Sequence, residues 1–380
     1  MRNYVIRSGG TIMSRMKKKL FAVLLLAVMA ISVITGCTKK SSGANSLFGV
    51  TKEAMKVSKA DYSTTVSIDT AGNSLDVSAK FFGTTDGNAT SLSVEVKFGA
   101  MTYKLNDILV FTQDTLYFNV RNVIDQFSMY LNMMGIDEAA LKELGLDSDW
   151  VKLEFEGTFE KDTSLVEMLC DDLDAAYESI VTNENGVYTL SIESKEEIEK
   201  FTELTRKLIE ANSSKWAEAY AGYISKIDLN AMTDSITEDL LKALEEADIG
   251  LSAEDIEEKK NELNEQLKVD VDNITKDDIK EALDAMAENI VVDEDMDYDT
   301  TLVISGGYVE GSYTTTIITK EDDGSSYTVE SKVSPNNKAS VTVPDNAKSI
   351  KDILVPLLKY VNEKFEGGEG SIIENYPIFE

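Results

Sequence analysis

Apolar residues alternate with polar ones in two separated blocks of the chain, and between them they recur at helical spacing. In the first block the alternating sets are Tyr62, Thr64, Val66 and Ile68, then Leu75, Val77, Ala79 and Phe81, then Leu92, Val94, Val96 and Phe98. Turn-forming residues separate them at Ala71-Gly72-Asn73 and Thr85-Asp86-Gly87-Asn88. A period of two puts one side chain in two on the same face, so this block predicts an antiparallel meander with one buried face. Tyr103–Thr112, Thr115–Val120, a strand through Val151 and Leu153, and Gly186–Ile192 extend it. Short helices are expected around Val123, Ile124, Phe127, Leu131 and Met134, and over Asp137–Leu144.

A longer helix begins at Ser164, with Glu167 three residues on as its capping partner and a stripe of Leu165, Leu169, Leu173, Ala176, Tyr177 and Ile180. From Ser194 to about Ile290 the pattern is helical and acidic, with capping boxes at Ser194/Glu197, Ser235/Glu238, Ser252/Asp255 and Thr275/Asp278. Alternation then returns in Tyr298-Thr300-Leu302-Ile304, Tyr313-Thr315-Ile317, Tyr327-Val329 and Ala339-Val341-Val343. Turns are expected at Gly306-Gly307, Asp322-Asp323-Gly324 and Pro335-Asn336-Asn337. A last helix spans 346–366, with Pro356 forcing a kink or a restart, and 367–380 reads as a loose tail.

Strands, helices, strands and a helix in that order make the fold class α+β, an antiparallel sheet covered by amphipathic helices with a long central helical segment. The expected organisation is a single domain over 62–380, subdivided at 193/194, 292/293 and 345/346. The two strand blocks either join into one curved sheet or form separate domains. One sheet is preferred, because the second block alone offers few strands and one helix to cover them.

The first 61 residues follow a different pattern. Lys17-Lys18-Lys19 precede a run from Leu20 to Ile34 without a charge, 15 residues long, which is short of the roughly 20 that span a bilayer. The run closes on Ile34-Thr35-Gly36-Cys37. Basic start, apolar core and small-residue exit are those of an export signal. The closing tetrapeptide resembles the bacterial lipobox, which implies cleavage after Gly36, a diacylglyceryl group on Cys37, and residence at the extracytoplasmic face of the cell membrane. Residues 1–36 are then signal, with Met16 a plausible true start in place of Met1 or Met13, and the polar stretch 37–61 reads as a flexible tether.

Removing residues 1–36 takes six basic residues and no acid, so the net charge of −31 becomes −37. Such a field repels nucleic acid. The chain has no histidine, which excludes Ser-His-Asp and Cys-His catalysis and His-ligated zinc. With Cys37 lipidated, Cys170 is the remaining thiol and no disulfide can form within the chain. Its helical neighbours Val166, Leu173 and Tyr177 suggest a buried structural thiol, and Asp171 and Asp172 disfavour a thiolate. Asp295, Asp297 and Asp299 imitate the first half of a calcium loop, but Thr300 stands where glycine is needed and Gly306 where glutamate is needed. A solvated connector is the better reading. No catalytic, cofactor or metal residue is assigned, and no enzymatic activity is expected.

The lipid-attachment motif, the meander, the stretch Tyr103–Val120 and the segment Val341–Ile350 together resemble the LolA/LppX-like half-barrel lipoproteins of bacterial envelopes. The resemblance implies an apolar cavity between sheet and helices that receives a lipid-like ligand. The alternative is a structural or protein-interaction module of the envelope, with the acidic helices as its docking surface.

Overall fold

The computed structural model describes residues 44–70, 77–133, 137–143, 146, 148–154, 163–224, 241–243, 246, 275–290, 301–321 and 323–365. Residues 1–43, the second and third capping boxes and the Asp295–Asp299 cluster lie outside them.

Twelve strands form one open sheet: β1 (Ala60–Asp69), β2 (Val77–Thr85), β3 (Thr90–Phe98), β4 (Met101–Phe111), β5 (Thr115–Asn119), β6 (Trp150–Glu154), β7 (Val181–Glu184), β8 (Val187–Ile192), β9 (Thr301–Val309), β10 (Ser312–Lys320), β11 (Ser326–Pro335) and β12 (Lys348–Ser349). Their spatial order is β12-β6-β5-β4-β3-β2-β1-β11-β10-β9-β8-β7. Every pairing is antiparallel except the short β12–β6 contact. The two blocks of alternation are therefore one sheet, joined where β1 pairs β11 from Ala60/Pro335 to Asp69/Ser326. The class is α+β, as the alternation implied.

Among the described residues the helices whose bounds are defined are α1 (Leu47–Met55), α2 (Val120–Met133), α3 (Glu138–Glu143), α4 (Ser164–Tyr177), α5 (Lys195–Ile224), α6 (Lys276–Asn289) and α7 (Lys351–Phe365), with a 3-10 turn at Glu178–Ile180. Pro356 lies inside α7. The capping boxes at Ser194/Glu197 and Thr275/Asp278 form. At α4 the cap falls one residue earlier than expected: Thr163 is the N-cap residue, and its hydroxyl donates to the Glu167 carboxylate at 2.9 Å instead of accepting from a backbone N–H of the first turn.

Cross-strand partners share a face, so the apolar side of the sheet can be followed row by row. Val66 lies between Val329 and Ala79, and the row continues through Ile317, Ile304 and Leu190 one way and Val96 and Tyr103 the other. Over β8–β11 and β1 this face is covered by α1, α4 and α5. Leu47, Phe48, Met55, Val166, Cys170, Tyr177 and Leu208 pack there on Leu190, Ile304, Ile317 and Val329.

The element at the centre of that packing lies in the stretch expected to be a tether. Seven of the nine residues of α1 are buried, which makes it interior structure. Leu47, Phe48 and Met55 enter the main core, while Val50 and Ala54 join Ala60, Tyr62, Tyr313 and Val333 in a second cluster. Ser46 caps it, accepting from Gly49 N–H, and Asp174 of α4 accepts both the Ser46 hydroxyl and Phe48 N–H. Lys52 pairs with Asp171 at 2.6 Å. The flexible tether expected over 37–61 is thus corrected: from Ala44 onward the chain is part of the folded body.

Two further expectations are corrected. Gly306-Gly307 lie inside β9, not in a turn, and the hairpin turns instead at Glu310-Gly311, both at positive φ. A Cβ on Gly306 would stand 3.3 Å from Leu47 Cδ1, and one on Gly307 would stand 3.0 Å from the Gly186 carbonyl. These glycines let α1 and the β7–β8 turn approach the sheet. Ala339-Val341-Val343 are not a strand: Val341 N–H donates to the Asp86 carboxylate at 3.1 Å, so its backbone is satisfied by a turn side chain rather than a ladder.

Candidate functional site

The covered half of the apolar face is closely packed. Leu47, Met55, Tyr177, Leu190, Ile304 and Cys170 are at most 2% exposed. Tyr177 ties three helices there: its ring stacks on Phe201 of α5 at 5.1 Å, sits 6.2 Å from Phe48 of α1, and its hydroxyl is 2.7 Å from that of Thr205. Burial pushes the Tyr177 hydroxyl up to about 12 even though the Thr205 hydrogen bond pulls the other way.

Cys170 is fully buried in α4. Burial first, then the Asp174 and Asp171 carboxylates, push its thiol up to about 12. A neutral thiol with no access is structural, as its helical neighbours suggested. Among the described residues no group of acids, thiols or histidines is placed to hold a metal ion.

The same apolar face continues past β1 onto β2, β3 and β4, and there it is open. Phe81 pairs with Val94, Val96 with Tyr103 and Phe98 with Met101, all in rows that begin in the covered core. Phe81, Phe98 and Met101 are 40%, 44% and 51% exposed, and Val96 and Tyr327 are also exposed. Phe81, Val96 and Phe98 were read as buried positions, and they are not. The alternation correctly placed them on the core face, but no helix among those described covers it there. Helix α2, packed beside β4 and β6, adds exposed Phe127, Met129, Tyr130 and Met133. Single exposed apolar side chains are ordinary, whereas a set in register on one face marks a contact surface.

No family model, curated protein or solved structure matches the chain.

The opposite, polar face carries an open depression of about 510 Å³ over β11, β1, β2, β3 and β4. Asp61, Ser63, Phe82, Ser93 and Asp107 are among its walls. A bulge in β4 opposite Ser93 forms one side, with Asp107 at φ 45° and its N–H donating to the Ser93 hydroxyl at 2.8 Å. Phe82 also lines it, with the ammonium groups of Lys80 and Lys104 each 5.4 Å from the ring centre. Hydroxyls and charges dominate this hollow, so it does not suit the lipid-like ligand that the half-barrel resemblance implies.

Cys37 and Gly36, the two residues with assigned roles in sequence, lie outside the described residues. Among those described, no helix is long and apolar enough to cross a membrane. The exposed face of β2–β4 had no signature of its own, because alternation reports which side chains share a face and not what lies over them.

Proposed function

We propose that the chain is a non-enzymatic lipoprotein, anchored through Cys37 at the extracytoplasmic face of the cell membrane, that holds a hydrophobic, lipid-like ligand against the open apolar face of β2–β4. The observation that carries this reading is the continuity of that face: the row that buries Ile317 and Val329 under helices runs out to exposed Val96, and the flanking rows of the same face run out to exposed Phe81, Phe98 and Met101. The site is a surface beside the packed core rather than a cavity within it. A half-barrel-like curvature of the sheet would wrap the ligand. Burial contributes about 0.8 kcal/mol per methylene, so ten methylenes give about 8 kcal/mol before the cost of association, which sets micromolar binding as the ceiling. The missing histidine supports a binding role over acid–base catalysis.

Native mass spectrometry of the protein purified from its own host tests this. An apolar molecule should accompany the wild-type chain and be lost from a Phe98→Ser, Met101→Ser variant; recovery of the bare chain alone argues against it. Anchoring is tested separately, since Cys37→Ser should accumulate as unprocessed precursor, and normal maturation of that variant would remove the lipid from the proposal. The exposed apolar side chains of α2 favour a second reading, an interaction module of the envelope. Crosslinking in cells from Met133 would then recover one dominant partner protein.

A further inference from the structure

The position of α1 bears on how the molecule stands on its membrane. The inference rests on lipidation of Cys37 and extends it. Ala44 is already part of the body: its carbonyl accepts from the Tyr188 hydroxyl at 3.4 Å, and it packs against the cluster of Val50, Tyr62 and Tyr313. Seven steps of chain separate Cys37 from Ala44, and they reach at most about 25 Å. A nine-residue strand is about 30 Å long and twelve strands side by side span close to 60 Å, so the leash is shorter than the body in both directions. The part of the sheet around Ala44 is thereby kept within about 25 Å of the lipid anchor.

That part ends in the β9–β10 hairpin. Tyr308 lies against Tyr313, with ring centres 4.8 Å apart, beside the cluster in which Ala44 packs. Tyr308 is 51% exposed and Val309 41%, and the turn at Glu310-Gly311 follows at once. A tyrosine beside an aliphatic side chain suits the headgroup boundary, where the ring body and its hydroxyl face different media. We infer that the Tyr308–Val309 tip is a second contact of this protein with the lipid surface, made beside the anchor. The open face of β2–β4 then points elsewhere. Phe98 and Met101 lie six residues along the strands from the Tyr62 row, about 20 Å, and β4 is six strands from β9, about 29 Å. The body charge and Glu310 make zwitterionic lipid the partner, with anionic lipid weakening the contact.

Processed, lipidated protein carrying Cys170→Ala and a single new thiol, from Val309→Cys or from Met101→Cys, can be labelled with a polarity-sensitive fluorophore. It is then reconstituted into phosphatidylcholine vesicles containing a spin-labelled lipid as quencher. Vesicle flotation is read first. Protein that floats should lose fluorescence at position 309 and keep it at position 101. Quenching at 101 equal to or above that at 309, or at neither site in floating protein, overturns the orientation while leaving the anchor intact. Protein that fails to float overturns the anchor, and the orientation with it.

Discussion

The backbone N–H of Phe48 donates to Asp174 Oδ1 at 2.9 Å, joining the start of α1 to the last turn of α4 across 126 residues of chain. The Ser46 hydroxyl donates to the other oxygen of the same carboxylate at 2.6 Å. One side chain therefore satisfies the amino end of a helix whose apolar residues form the centre of the core, and its loss should loosen that helix first. Asp174→Ala is expected to destabilise by about 2 kcal/mol, the range of hydrogen bonds to a charged group. Chemical denaturation gives the total, and hydrogen exchange should show α1 amides losing protection before those of β9 and β10.

Asp174 also has a definite pH sign. Desolvation raises its carboxyl above the ordinary value and outweighs the opposing hydrogen bonds from Ser46, Phe48 and Gly49. A carboxyl with a raised folded pKa favours the fold most when protonated. That contribution is complete below the unfolded value near 3.8 and is lost as pH rises through the folded one. Measured against Asp174→Asn, which cannot titrate, the wild type should gain relative stability as pH falls from 7 towards 4. A flat difference would show that burial does not govern this group.

Cys170 should be silent to reagents in the native protein. Iodoacetamide should modify it only after unfolding, because the thiol is both buried and held neutral. Cys170→Ala should cost about 1–2 kcal/mol, as other small core truncations do, and leave ligand binding unchanged.

Two glycines make opposite predictions. A Cβ on Gly83 would stand 1.9 Å from the Ser91 carbonyl oxygen, to which the Tyr62 hydroxyl donates, and 2.9 Å from that hydroxyl. Gly83→Ala should therefore destabilise by about 1–3 kcal/mol through overpacking. A Cβ on Gly222, near the end of α5, meets nothing within 4 Å, and Gly222→Ala should stabilise by about 0.5 kcal/mol through helix propensity. Thermal melts of the two variants, run together, decide both.

How much of this was legible follows from which signals the residues carry. Strands with one covered face announce themselves by alternation, so β1–β4 and β9–β11 were visible, and the shortage of covering helices pointed to one sheet. Helix α1 was not visible, because a nine-residue helix buried on nearly every side has no polar stripe, and Lys52, Glu53 and Lys56 gave its surroundings the composition of a linker. Gly306-Gly307 carried the composition of a turn, yet their use is to admit Leu47 and the Gly186 backbone to the sheet. The strands β7 and β12 are too short to show a period. The open apolar surface was hidden for a different reason: Phe81 and Val329 alternate alike, and only the placement of the helices separates an exposed position from a buried one.

Binding of a neutral naphthylamine dye to the unlipidated body, followed by its fluorescence, tests the proposed ligand surface most directly. Phe98→Ser and Met101→Ser are surface changes expected to leave the fold intact, so their melting should match wild type within about 0.5 kcal/mol. The dye should bind wild type with a Kd on the order of micromolar and bind the double variant at least about tenfold more weakly, since each lost apolar contact is worth about 1.5 kcal/mol or more. Equal affinity for the folded variant and the wild type would contradict a ligand site on β2–β4.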